Sequence, residues 1–323
     1  MLYNQTAQNL VNISFSENII WKLLFVAISV LCFTPWINPP IALLAGVVLS
    51  LLMGNPYSSK VQSISKYLLQ LSVVGLGFGI NLTSALAGGA PRLELIIGSA
   101  LFTILLGLLI GRFLSIDKKI VLLLSSGTAI CGGSAIAAVS PVIRAKEHQI
   151  SVSIGTVFIL NSIALFIFPF IGEYIQLSQI DFGLWAALAI HDTSSVVGAA
   201  QVYGEEALEI ATVTKLTRAL LIFPLVLVIS FFYKKGEKKT QVPWFILGFI
   251  GAMLVNTYVE PLTEINQHIA IVAKKALTLT LFLIGTGLTM EILKGVGLKP
   301  MLLGILLWVV ISVGSLFTIL YLN

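Results

Sequence analysis

Charge is what this sequence most lacks. Asp, Glu, Lys and Arg make up only 10% of its 323 residues, against 57% hydrophobic residues and a mean hydropathy of +1.01. A soluble globular domain carries roughly 25% charged residues, so that class is excluded. Cysteine is nearly absent: Cys32 and Cys131 stand alone in apolar runs, which gives neither a disulfide framework nor metal-ligand spacing. No G-x-x-x-x-G-K-[ST] loop and no G-x-S-x-G elbow occurs, so neither ATP-driven transport nor an α/β-type serine hydrolase is marked. The ~10-residue alternating segments of a membrane β-barrel are missing. The N-terminal MLYNQTAQNLVNISFSEN is polar without a basic start, and does not read as a cleaved signal peptide.

What is present is oil in long runs. Eleven apolar elements fall at about 19–36, 40–54, 66–83, 93–113, 119–143, 149–171, 182–203, 209–232, 243–258, 270–290 and 301–321. Several reach the ~20 residues that a helix needs to cross a ~30 Å hydrocarbon core. The fold class is therefore an all-α polytopic membrane protein. A polar N-terminal segment, 1–18, precedes a single membrane domain, 19–323. The net charge of +5 sits in short loops, where it sets orientation rather than contacting nucleic acid.

The stretch LSVVGLGFGINLTSALAGGAP (71–91) matches LFLIGTGLTMEILKGVGLKP (281–300), and 39–55 loosely matches 242–256. Elements two, three and four thus return as nine, ten and eleven, giving repeat halves of about 37–171 and 182–321. If every element spans, Arg144 and Lys146 are stranded outside and the acidic loop with Glu173 and Asp181 lies inside. If 119–143 and 182–203 are re-entrant, entering and leaving on one side, the basic residues collect in the cytoplasm as the positive-inside rule requires. The preferred expectation is an inverted-repeat transporter with about nine full spans and two re-entrant or discontinuous helices, in the bacterial inner membrane with its N-terminus in the cytoplasm.

Residues 127–139, GTAICGGSAIAAV, explain why a hydrophobic run should be diluted with glycine. Irregular backbone at membrane depth survives only where protein or a wet cavity covers it. Broken helices there offer half-helix ends to a solute. Close helix packing by small residues is the competing explanation. Ser125, Ser126, Thr128, Gly132, Gly133 and Ser134 are the solute-binding candidates of this hairpin. The partner stretch, AIHDTSSVVGAAQVYG (189–204), contributes Thr193, Ser194 and Ser195. His191 and Asp192 are its proton-coupling candidates, since an ionisable group at membrane depth is costly. Asp192 can also cap the helix that follows, and His191 can equally be a structural histidine. On 209–232, Lys215 and Arg218 share a helix face. From about Ile210 they lie roughly 8 and 12 Å deep at 1.5 Å per residue. Lys215 can snorkel outward, whereas Arg218 needs a carboxylate such as Asp192 or an anionic ligand.

Together GTAICGGSAIAAVSPVIRAKE, HDTSSVVGAA, VTKLTRALLIFP and GTGLTMEILKGVGLKP resemble the YeiH-like bacterial membrane proteins, a family labelled sulfate exporters. The resemblance runs from element two to the end. It implies the inverted-repeat architecture of sodium/proton antiporters and bile-acid symporters, and export of a sulfate-like or organic anion. The family's usual glutamate after the histidine is Asp192 here. The expectation is then a secondary transporter of a small anion, coupled to a proton or sodium ion, with an anion channel and an intramembrane hydrolase as alternatives. Its partners are the solute, the coupling ion and the lipid bilayer, with a homo-oligomer left open. No cofactor, metal or catalytic set is expected.

Overall fold

The computed structural model describes residues 19–53, 58–83, 93–233, 244–287 and 295–322. The polar segment 1–18, expected to carry a cytoplasmic N-terminus, residues 234–243, and residues 84–91 and 288–294 of the 71–91 and 281–300 match lie outside the described residues. In chain order the helices are α1 (Ile19–Leu31), α2 (Pro39–Met53), α3 (Ser58–Gly77), α4 (Leu93–Phe113), α5 (Lys118–Ala129), α6 (Gly133–Val142) and α7 (Glu147–Tyr174). There follow α8 (Gln179–Ala189), α9 (Thr193–Tyr203), α10 (Glu205–Ala219), α11 (Ile222–Phe232), α12 (Trp244–Tyr258), α13 (Thr263–Thr286) and α14 (Leu298–Leu322). Among the described residues all regular structure is helical, as hydrocarbon demands of a chain that must satisfy its backbone internally.

Five stretches are long and apolar enough to cross a membrane: Leu93–Phe113, Glu147–Tyr174, Glu205–Phe232, Glu260–Thr286 and Leu298–Tyr321. Several helices start earlier than the apolar runs suggest, at Ser58 instead of 66 and at Thr263 instead of 270. Hydropathy marks only the oily part of a helix, and the backbone ladder continues into polar turns. The run 209–232 is interrupted at Leu220–Leu221. Pro224 has no N–H to offer the Leu220 carbonyl and its ring crowds that oxygen, so the chain tightens there through Leu221 N to Arg218 O and Phe223 N to Leu220 O bonds.

The described helices fall into two units. One holds α1, α2, α3, α12 from Gly248, and α13. Its core places Phe25, Cys32, Leu49 and Phe282 together, with the Phe25 and Phe282 rings 5.3 Å apart. α13 meets α2 almost backbone to backbone. A Cβ on Gly46 would collide with the Phe282 carbonyl and come within 2.9 Å of Thr286 N, and one on Gly285 would strike the Leu43 carbonyl. Lys275 Nζ donates to Thr34 O at 2.8 Å.

The other unit holds α4 to α11 and α14, and its frame is α7. With 28 residues, α7 is about 42 Å long at 1.5 Å per residue. At its N-terminal end the chain arrives from a hairpin made of α5 and α6. The two ends of that hairpin meet: Lys119 Nζ donates to Arg144 O at 2.7 Å, and Gln149 Nε2 donates to Asp117 Oδ1 at 3.0 Å. At the C-terminal end of α7 the chain enters a second hairpin, α8 and α9, whose ends also meet. Tyr203 OH donates to Leu177 O at 2.6 Å, and Gln179 Oε1 accepts from Glu206 N at 3.0 Å. Both segments therefore double back, one from each end of α7. Their arms of 12 and 11 residues are about 18 and 16 Å long, enough for the tips to meet near the middle of α7.

The surface of this unit is oily where α4, α11 and α14 face outward, with Leu105, Phe231 and Phe317 strongly exposed. The second hairpin is buried almost throughout, with every residue from Phe182 to Ala200 except Asp192 shielded. A pair of glycine substitutions separates close packing from mere helix propensity. Gly46→Ala should lower stability by about 1–3 kcal/mol through overpacking, while Gly251→Ala, whose Cβ meets nothing within 4 Å, should not. Thermal unfolding of the detergent-solubilised protein reads both.

Candidate functional site

The first hairpin tip is Ile130, Cys131 and Gly132, between the end of α5 and the start of α6. Gly132 has φ +60 and ψ −121, a combination that an L side chain tolerates poorly, and its N–H donates to Gly127 O at 2.8 Å. The second tip is Ile190, His191 and Asp192, before α9. Here Asp192 is the N-cap: its carboxylate accepts from Ser194 N at 3.2 Å and from Ser194 Oγ. The two tips touch. A Cβ on Gly132 would lie 3.4 Å from His191 O, 3.5 Å from Asp192 Cα and 3.1 Å from Val157 Cγ1 of α7. From the same level of α7, Asn161 Oδ1 accepts from His191 N at 3.0 Å.

Both cations of α10 point into this junction and are fully buried. Arg218 donates from Nε to Ala129 O at 2.7 Å, and from Nη1 to Ala187 O at 3.2 Å and to Leu188 O. Lys215 Nζ donates to Ala187 O at 3.2 Å and Ile190 O at 2.6 Å. Lys215 therefore does not snorkel outward. The last carbonyls of a helix have no partner inside it, and its C-terminal end carries roughly half a negative charge. The two cations sit on the C-terminal ends of α5 and α8. Neither forms an ion pair among the described residues; of the two partners the sequence offered Arg218, a carboxylate or an anionic ligand, the carboxylate is not used, and backbone oxygens of both hairpins accept from it instead.

The remaining candidates divide. Ser125 is spent on packing: its Oγ donates to Val121 O at 2.7 Å and lies where a Cβ on Gly107 of α4 would fall. Ser194 serves the Asp192 cap. Ser126 and Thr128 are fully buried, and their hydroxyls have no hydrogen-bond partner among the described residues. The same holds for Thr214 Oγ1, Asn161 Nδ2, both ring nitrogens of His191 and Arg218 Nη2. Thr193 and Ser195 are buried, Gly133 and Asp192 are half-buried and Ser134 is exposed. Buried polar groups are paired in the great majority of cases. Many of the unpaired ones among the described residues gather on the two tips and the helices flanking them. Asn161 was not among the sequence candidates. Its signal was an amide deep inside the oily 149–171 run, where Gln149 is the only other one and stands at the end, which the cost of polarity at membrane depth makes informative.

The family of conserved hypothetical protein 698 matches residues 22–304. The chain belongs to this family. It is 54% identical over 292 residues to a UPF0324 membrane protein of Porphyromonas gingivalis, covering 89% of this chain and 88% of the relative. A UPF0324 membrane protein of Bacteroides thetaiotaomicron is 52% identical, covering 87% of this chain and 86% of its own. One from Bdellovibrio bacteriovorus is 48% identical, covering 95% and 96%. The YeiH-like resemblance read from the motifs is thereby established, and with it membership of a membrane protein family. No solved structure matches the chain.

The sequence alone suggests that removing Arg218 would abolish uptake and spare the fold. The hydrogen bonds of Arg218 add an expected cost to the fold. Arg218→Met strands Ala129 O and Leu188 O in the interior, and should cost about 3 kcal/mol or more. Arg218→Lys, which keeps one charge but not the fork, should fall between it and the parent. Denaturation midpoints of the three proteins in one detergent would check the order.

Proposed function

We propose that this protein is a secondary transporter of a small anion, coupled to a proton or sodium ion. One observation carries the reading: two half-length hairpins meet tip to tip beside the middle of a membrane-length helix, with two buried cations behind them. Discontinuous helices meeting at membrane depth are how solute sites are built in many transporters. The ends that remain for a solute are the N-terminal starts of α6 and α9, which favour negative charge.

In this reading the base of the first hairpin, with Arg112, Lys118, Lys119, Arg144 and Lys146, faces the cytoplasm. The base of the second, with Glu173, Asp181, Glu205 and Glu206, faces outward, in accord with the positive-inside rule. The two hairpins form the centre of an inverted repeat, pairing elements two with nine, three with ten, four with eleven and six with eight. Nine full spans and two re-entrant hairpins result. Thr193, Ser195, Gly133 and Ser134 line the solute site, Lys215 and Arg218 supply its positive field, and Asp192 and His191 are the coupling groups.

Two measurements test this. With Cys32 and Cys131 replaced by serine, single cysteines go in by Lys146→Cys and Gln176→Cys, both exposed positions, and intact cells meet an impermeant thiol reagent. Labelling of Q176C with protection of K146C is expected; the reverse pattern would remove the proposed orientation. In proteoliposomes, labelled sulfate and small organic anions should enter against a pH or sodium gradient. A saturating, gradient-dependent flux is expected, and rates linear in concentration to channel-like values would replace the carrier by an anion channel.

A further inference from the structure

A cleft of about 270 Å³ opens between α4 and α14. Glu94, Gly98 and Phe102 line one wall, Val310, Gly314 and Thr318 the other, and Leu188 of the second hairpin closes the back. The same two helices are in close contact further along, where a Cβ on Gly107 would lie 3.1 Å from Leu307 Cδ1. From that crossing they part. A Cβ on Gly98 or on Gly314 would meet nothing within 4 Å. Each wall, Glu94 to Phe102 and Val310 to Thr318, runs about 12 Å along its helix at 1.5 Å per residue. The cleft is therefore a slot that lies along the helices.

The walls offer little to a polar solute. Ser99 Oγ donates to Ile96 O at 3.2 Å, Ser315 Oγ to Ile311 O at 2.6 Å and Thr318 Oγ1 to Gly314 O at 2.7 Å. Hydroxyls turned back on their own helix leave mainly hydrocarbon and glycine facing the slot. It opens on the oily flank of this unit, where Ile97, Leu101, Val313 and Phe317 are exposed. Apolar surface gains from an apolar occupant, and the surroundings of a membrane-length helix supply one. The end of the slot differs from its length. Glu94 stands there, in the first turn of α4, which a span of 21 residues places at the headgroup level. Its side chain is exposed and has no hydrogen bond or ion pair among the described residues. A free carboxylate at that level attracts a cation.

We propose that the slot is a lipid site, holding one acyl chain of a phospholipid whose headgroup carries a primary ammonium. The chain lies along Gly98 and Gly314 against Leu188, and the ammonium sits on the Glu94 carboxylate. The chain then backs the last turn of α8, whose Leu188 carbonyl accepts from Arg218. The lipid thus steadies from outside the turn that holds the buried guanidinium. The assignment stands apart from what the hairpin junction carries.

The test uses the purified, delipidated full chain in detergent, with dioleoyl phosphatidylethanolamine and dioleoyl phosphatidylglycerol as probes. The two share their chains and differ in the headgroup. Phosphatidylethanolamine should raise the unfolding temperature saturably, and at lower concentration than phosphatidylglycerol. Gly314→Leu places a side chain in the slot, from a position whose Cβ finds open space, and should abolish the shift for both lipids. Gly98→Leu does the same from the opposite wall and serves where Gly314→Leu does not fold. Glu94→Gln should weaken phosphatidylethanolamine about threefold, as expected for an exposed ion pair, without weakening phosphatidylglycerol. A shift that survives the leucine variants would overturn the proposal, as would the lack of any saturable shift in the parent. Equal binding of the two lipids by the parent, or phosphatidylethanolamine binding unchanged by Glu94→Gln, would overturn it equally.

Discussion

Everything in the second unit depends on where Arg218 puts its guanidinium. A hairpin that turns back inside the unit ends its first helix with carbonyls that have no intrahelical partner, and each such group is costly to bury unpaired. Two hairpins present two such ends. One planar group reaches both, bonding Ala129 O of the first and Ala187 and Leu188 O of the second, while Lys215 takes Ile190 O. This works only if the tips arrive at one level. The arms of α5 and α8, the length of α7 and the position of Arg218 on α10 are therefore mutually constrained. Pro224 breaks α10 from α11 just beyond, where the Arg218 carbonyl turns to Leu221 N.

Satisfying the C-terminal ends has an electrostatic consequence at the other side of each break. Two cations face two helix ends worth roughly half a negative charge each, and Asp192 adds one full negative charge. The positive starts of α6 and α9 complete the balance, leaving the junction with about one positive charge in excess. Asp192 already covers the start of α9. The excess is therefore felt at α6, in surroundings of low effective dielectric where charges act at greater strength than in water. The excess belongs to the junction as a whole rather than to any single residue.

Much of this was legible in the sequence, and the parts that were not fail for identifiable reasons. The glycines of 127–133 announced a break, and the charge asymmetry of Arg144 and Lys146 against Glu173 and Asp181 favoured doubling back, which the Lys119 to Arg144 O and Tyr203 to Leu177 O bonds bear out. Asp192 as a helix cap was readable from the aspartate-x-serine spacing. The partners of Arg218 and Lys215 were not readable. Sequence shows side chains, and their partners are backbone oxygens that any residue could supply. Nor did periodicity reveal that Ser125 faces Gly107 while its neighbour Ser126 does not share its bond, since adjacent helical residues point about 100° apart and only packing decides which face is which.

The two hairpins are held unequally. Around the second, Phe168 stacks on Trp185 at 4.3 Å and Phe182 on Tyr203 at 3.7 Å, while Trp185 Nε1 donates to Ser312 O of α14 at 2.8 Å. Its returning helix is sealed and its cap is internal. The returning helix of the first hairpin, GSAIAAVSPV, holds no aromatic ring and exposes Ser134, Ala137 and Pro141 along one face. Free energy of local opening follows buried apolar contact, so α6 is the less firmly held of the two.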